Sequence, residues 1–343
     1  MTLKQRSRRG SGRPTLSDVA DLAGVGTITV SRALRDPLRV SQELRARIDI
    51  AVKDLGYVLN PNARALASVR ADVIGVLIPS MTNNVFSDVL RGIHDGLGDS
   101  TLQIQFGITH YSEREEERLL RVFLGQHPSA LIISGIDQTP ATRRLLESAD
   151  CPVVQIMEIG PDPIDMMIGF SHFDGGKTAT RHLLDVGCRQ IGFIGARMDP
   201  RTTRRLDGYR SAIEETGHFD IRLVTTTTLP SSVTMGMKLF HEAIERVPSL
   251  DAVVCNNDDI ALGVLFACNR LGLPVPSRIC IAGFNDLEMM EVAYPPITSV
   301  RTPRYEIGRQ AIAMAMAELN GQTVGDRVID LGFELKIRAS SAR

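Results

Sequence analysis

From Val73 onward, apolar runs of strand length alternate with longer helical stretches, and this alternation constrains the fold more than any other feature of the chain. The runs are VIGVLI, LQIQFGI, ALIISGI, PVVQIM, QIGFIG, AVVCNN and ICIAGF. Strands alternating with helices imply βαβ units, and hence a mainly parallel sheet covered by helices on both faces. Each run ends in a polar or glycine-rich turn, and ligands gather at the carboxyl ends of such strands. Roughly 270 residues of this pattern suit two lobes better than one sheet.

The first 70 residues follow another rule. They hold 13 Lys/Arg against 6 Asp/Glu, a formal +7, whereas the rest holds 26 against 34, a formal −8. A basic head on an acidic body predicts a head that meets a polyanion. Thr15-Leu16-Ser17-Asp18 is a capping-box pattern with Asp for the usual Glu, which starts a helix carrying Leu16, Val19, Ala20 and Ala23 on one face. Gly24-Val25-Gly26 breaks it, and a second helix is predicted over Thr27–Leu34 with Val30, Ala33 and Leu34 turned inward. Two short helices around a glycine turn form a helix-turn-helix unit. A third helix opens at Ser41 and stops at Gly56. Asn60-Pro61 then reads as the start of a short helix, Asn62–Ala67.

Several function classes lose support on the same reading. No window approaches the run of about 18 apolar residues that a membrane span needs. The basic N-terminus lacks the apolar segment of a signal peptide, and the five cysteines are odd in number with no C-x-x-C pair. Both point to a cytoplasmic protein with reduced, buried cysteines. Gly175-Gly176-Lys177-Thr178 ends like a phosphate-binding loop, but Ser171 stands where that motif needs glycine. These glycines are expected at the start of a helix, Lys177–Val186. No dinucleotide fingerprint, nucleophile elbow or H-E-x-x-H motif is present, so no cofactor and no metal are expected.

The strings TLSDVADLAGVGTITVSRAL and VSQELRARIDIAVKDLGYVLNPNARALAS resemble the DNA-binding head of the LacI/GalR family of transcriptional repressors. The resemblance implies a helix-turn-helix head over residues 13–68 with a hinge helix at about 60–67. It also implies a two-lobed, periplasmic-binding-protein-like core of parallel sheets over 71–343. The first lobe is expected over about 71–162 plus 290–320 and the second over about 163–285 plus 323–343. Crossovers are placed near Pro161-Asp162-Pro163, Asn285–Pro296 and Asn320–Thr323. Carried over by position, Thr27, Ile28 and Arg32 face bases, while Thr29 and Ser31 contact phosphates. Asn60, Ala63 and Leu66 act in the hinge, with Leu66 as a wedge between base steps. Gly26 departs from the family's usual Ser or Thr cap. The expected partners are a palindromic operator and a second copy of the chain.

The same resemblance makes the core a receptor for a small-molecule effector. It assigns ligand contacts to Phe86, to Phe170 as the aromatic stacked on a sugar face, to Arg205 as the grip on hydroxyls or a carboxylate, and to Asn257, Asp258 and Asn285. Asn285 and Met157 both stand where Asp is frequent, and losing two acids beside Arg205 points to an acidic sugar. LIPSMTNNVFSDVLRGI, GARMDPRT, CNNDDIALG, VRTPR and DLGFEL are similar to the family's gluconate-operon branch, which adds Arg201, Thr202, Arg301 and Thr302. Gluconate or a related sugar acid is therefore the expected effector. A neutral sugar, phosphosugar or nucleoside effector, a corepressor mode, and a cytoplasmic sugar-modifying enzyme are the alternatives.

Overall fold

The computed structural model describes residues 14–35, 39–58, 71–217 and 219–342. Contacts divide the chain into two units, residues 1–71 and 72–343.

In the first unit, α1 (Leu16–Ala23), α2 (Thr27–Arg35) and α3 (Gln42–Leu55) follow the local signals. Thr15 and Asp18 complete the capping box reciprocally, and Gly24, at φ 64, ends α1 in the left-handed region that glycine enters freely. Ser41 caps α3 by accepting from the Leu44 N–H, and Gly56 closes it at φ 58. Val19, Val30 and Ile48 are wholly buried, with Ala20, Ala23, Ala33 and Ala51 filling the space between them. Arg47 Nη2 donates to the Ala23 carbonyl at 2.6 Å, which satisfies an open carbonyl at the end of α1 and ties α3 to it. Asn60, Ala63, Leu66 and the expected hinge helix lie outside the described residues.

The second unit holds two six-stranded sheets. In chain order the first lobe contributes β1 (Val73–Ile78), α4 (Val85–Leu97), β2 (Gln103–Ile108), α5 (Glu113–Leu124), β3 (Ala130–Ser134), α6 (Pro140–Glu147), β4 (Val153–Ile156) and β5 (Met166–Gly169). The second contributes α7 (His172–Asp185), β6 (Ile191–Ala196), α8 (Pro200–Glu214), β7 (Val224–Thr227), α9 (Val233–Arg246), β8 (Ala252–Cys255), α10 (Asp258–Leu271), β9 (Cys280–Asn285), α11 (Met289–Val292) and β10 (Thr298–Arg301). The chain then returns through α12 (Arg304–Leu319) and β11 (Val328–Asp330) to end with β12 (Glu334–Lys336). The sheet orders are β11-β5-β4-β3-β1-β2 and β12-β10-β9-β8-β6-β7. All pairings are parallel except β10 with β12. The central strands β6, β8 and β9 are buried along their whole length, which explains why they read as continuous apolar runs rather than alternating ones.

The lobe boundaries differ from those expected. Pro161–Pro163 is a turn inside the first lobe, because Met166–Gly169 adds a further strand that pairs with β4. The first crossover follows that strand. Asn285–Pro296 stays inside the second lobe, since Thr298–Arg301 pairs with β9. The chain leaves only after Arg301, and α12 packs on α4. Asn320–Thr323 precedes β11, which pairs with β5, so the third crossover falls between Asp330 and Glu334. The lobes are thus 72–169 with 304–330, and 171–301 with 334–342. Helix α7 also begins earlier than predicted. Ser171 caps it through the Asp174 N–H at 3.1 Å, which puts Gly175 and Gly176 inside the first turns. No helix among the described residues is long and apolar enough to cross a membrane.

Candidate functional site

Two surfaces carry chemistry. On α2, Val30 and Ala33 turn into the head's core. The opposite face presents Thr27, Ile28 (74 % exposed) and Arg32, with Thr29 and Ser31 half-buried at its margins. Ile28 and Arg32 lie side by side on this face, and the planar fork of an arginine is suited to pairing with guanine. Arg32→Ala is expected to cost about 1–3 kcal/mol at the operator and to relax one base pair per half-site. Titration of operator variants at fixed salt tests this; an equal loss on random DNA would reduce Arg32 to a phosphate contact.

The second surface is a cleft at the carboxyl ends of the strands of both lobes, about 850 Å³ with its open mouth included. Seven of the ten expected ligand residues line it: Phe86, Arg201, Thr202, Arg205, Asn257, Asp258 and Asn285. Three do not. Thr302 is buried, its Oγ1 accepting from Arg304 Nη1 at 3.3 Å. Phe170 is wholly buried behind the site, its ring 4.4 Å from that of His172, which takes the cleft-facing position. Arg301 is drawn away by the buried carboxylate of Asp286, to which its Nε donates at 2.7 Å, and Asp286 also holds Arg338. Arg301, at the end of β10, thus neutralises the buried acid that follows β9.

Arg205 dominates the cleft. Its guanidinium lies 3.8 Å from the centroid of Phe284, its Nε donates to His172 Nδ1 at 3.1 Å, and its Nη1 donates to the Asn256 carbonyl. Burial lowers its pKa to about 10, with Asp199 pulling the other way, so it stays charged at neutral pH. Among the described residues no carboxylate forms an ion pair with it; Asp199 pairs instead with Arg201 at 3.7 Å. Both hydrogen-bond acceptors of Arg205 are neutral.

The polar groups around it are unequally engaged. Asn257 caps α10 through the Ile260 N–H and exchanges hydrogen bonds with Ser231. Asp258 accepts from the Leu287 N–H and Ser299 Oγ, both at 2.7 Å, and burial pushes its carboxyl up to about 7. Asn285 sits at φ 109, and its Oδ1 is buried without a hydrogen-bond partner. An orphaned buried acceptor costs about 1–3 kcal/mol, so this atom awaits a donor.

Several cleft residues were not anticipated from the sequence. Arg197 stacks on Tyr111 across the cleft, 4.0 Å from the ring centroid, and Asn83 Nδ2 donates to the Tyr111 hydroxyl at 3.0 Å. Arg201 Nη1 donates to Ser134 Oγ at 3.1 Å, while Arg204 reaches Asp137 at 2.9 Å and Glu158 at 3.4 Å. Segment 197–204 of the second lobe thus bridges to the first. Burial raises the Glu158 carboxyl to about 7 against the pull of Arg204. A carboxyl raised on folding contributes stability that is complete below its unfolded pKa and lost as pH climbs through the folded one. The Glu158 contribution should therefore fall away between about pH 4.5 and pH 7, and Glu158→Gln should remove it from the pH dependence of stability. Thermal melts across the range decide it; an unchanged slope in the variant would show that Glu158 ionises freely.

Residues 15–60 match the family of bacterial regulatory proteins, lacI family, and residues 180–341 match the periplasmic binding protein-like domain. The chain is 40 % identical over 341 residues to the HTH-type transcriptional regulator GntR of Pseudomonas aeruginosa, covering 99 % of both chains. A LacI-family transcriptional regulator from Silicibacter pomeroyi superposes with a TM-score of 0.91 at 35 % identity, over 96 % of this chain and 100 % of that one. The transcription regulator GntR of Chromobacterium violaceum gives 0.76 at 40 % identity, over 78 % and 99 %. These relatives are regulators rather than enzymes, and the first two match along nearly the whole chain. This chain belongs to the LacI family of DNA-binding transcriptional regulators.

Proposed function

We propose that the chain binds a palindromic operator as a cytoplasmic homodimer and releases it when a sugar acid of the gluconate class fills the cleft. The observation that carries the effector class is Arg205, a buried guanidinium held only by neutral acceptors. A buried cation with no carboxylate in direct contact is costly even with Asp199 acting from a distance, and an anionic ligand supplies the direct partner. A carboxylate matches the planar fork of Arg205, and the unpartnered Asn285 Oδ1 suits a hydroxyl donor farther along the same molecule. Met157 and Asn285 place a thioether and a neutral amide where a carboxylate would repel that ligand. Release is a population shift: the effector binds the DNA-incompetent arrangement of the lobes better than the competent one.

Asn285→Asp separates an acid from a neutral sugar. The new carboxylate should weaken D-gluconate more than D-glucose, because only the acid meets the added charge. Calorimetry of both sugars on both proteins gives the answer. Equal losses would remove the support for an acidic ligand.

A further inference from the structure

We propose that His172 is the positioning residue of the effector site: a neutral imidazole that aims Arg205 and ties it to the first lobe without cancelling its charge. The proposal rests on the reading that Arg205 meets the anionic group of the effector.

The tautomer follows from the partners. Arginine has no acceptor, so the Arg205 Nε–H at 3.1 Å requires a lone pair on His172 Nδ1. His172 Nε2 lies 2.8 Å from the Met157 carbonyl oxygen, which only accepts. A single species satisfies both contacts, the neutral ring with its proton on Nε2. An imidazolium would set an Nδ1–H against the Arg205 Nε–H. The ring is 1 % exposed, packed 4.4 Å from Phe170 and 5.7 Å from Phe284. The charged groups that face it are Arg205, Arg204 and Arg201 from α8, and Glu158 Oε2 at 3.9 Å. Burial and the arginines hold its pKa well below the ordinary histidine value, against a weaker upward pull from the Met157 carbonyl.

Charge explains why histidine suits this position. An Asp or Glu at 172 would orient Arg205 as well, but it would neutralise the guanidinium that the ligand needs. A hydroxyl side chain would be too short to span from Arg205 to Met157. The imidazole offers an acceptor at one end, a donor at the other and no charge. The resulting chain of hydrogen bonds runs from the Met157 backbone, at φ 74 after β4 of the first lobe, through His172 to α8 of the second. Occupancy at Arg205 is thereby sensed by a backbone carbonyl of the opposite lobe.

The test uses the full chain with D-gluconate and D-glucose as probes. His172→Phe keeps an aromatic ring but removes both hydrogen bonds, and should weaken gluconate about 10- to 100-fold. His172→Asn restores an acceptor near the Nδ1 position and should recover most of that loss. His172→Asp should weaken gluconate again, because it restores the acceptor together with a charge. Nitrogen-15 NMR of labelled histidine should show the His172 ring as the Nε2–H tautomer, without titration, between about pH 6 and pH 8. That spectrum also decides the matter if His172→Phe fails to fold. An Nδ1–H tautomer, an imidazolium at neutral pH, or Asn as weak as Phe overturns the proposal. Gluconate binding lost in Arg205→Ala but intact in His172→Phe overturns the His172 proposal alone. Binding unchanged in both removes the effector reading, and the proposal falls with it.

Discussion

Arg205→Ala is expected to yield a regulator that holds its operator and ignores its effector. Each hydrogen bond to a charged group contributes about 1.5–3 kcal/mol, so losing a bidentate grip should weaken gluconate by more than about 100-fold. The substitution also strips donors from His172 Nδ1 and the Asn256 carbonyl and removes the cation from the face of Phe284. Those losses oppose the relief of no longer burying an unpaired cation, so core stability should change far less than affinity. Operator binding should survive, because the face proposed to read DNA lies on α2 in the other unit. Mobility-shift titrations with and without gluconate measure both effects. If gluconate still releases the variant from DNA, the cation for the ligand lies elsewhere, and Arg197 becomes the first candidate because it too faces the cleft.

The head was legible because its signals are local. Thr15 with Asp18, Gly24, Ser41 and Gly56 each act within a few residues, and the structure uses each one as the sequence implies. The lobes were legible where strands are long and wholly apolar. Four short strands were not: Met166–Gly169, Thr298–Arg301, Val328–Asp330 and Glu334–Lys336 are recognisable only through the pairings they make, and missing them shifted all three crossovers. The cleft shows the same limit. Arg201, Thr202 and Arg205 share one helix and come together by spacing. Tyr111 and Arg197 depend on backbone at φ 60 and φ 73, which no non-glycine residue announces. One available signal went unused. Arg197 lies two residues past the run QIGFIG, and the rule that ligands gather at strand carboxyl ends, applied residue by residue, would have found it. Phe170 misled because its position one residue past β5 is right for the cleft, while its ring turns into the core.

Gly176→Ala should cripple the effector site without touching any ligand contact. Helices α7 and α8 approach so closely that a Cβ on Gly176 would stand 2.3 Å from the Arg205 carbonyl oxygen and 2.9 Å from the Arg205 Cα. The reciprocal position is as tight, with a Cβ on Gly208 falling 2.0 Å from the Phe173 carbonyl oxygen. In an open helix, replacing glycine by alanine gains about 1 kcal/mol of propensity. Here the obstacle is backbone, which cannot swing aside, and overpacking of this kind costs about 1–3 kcal/mol or more. The steric effect wins, and the melting temperature should fall by several degrees. The helices must part to admit the methyl group, and α8 carries Arg205 with it. A binding group displaced by more than about 0.5 Å loses its productive geometry, so gluconate affinity should drop further than stability. Gly217→Ala is the control, since a Cβ there meets nothing within 4 Å. Melting curves and gluconate titrations on both variants test the argument. A Gly176→Ala protein with wild-type melting and wild-type affinity would mean that the α7–α8 contact is soft and does not set the position of Arg205.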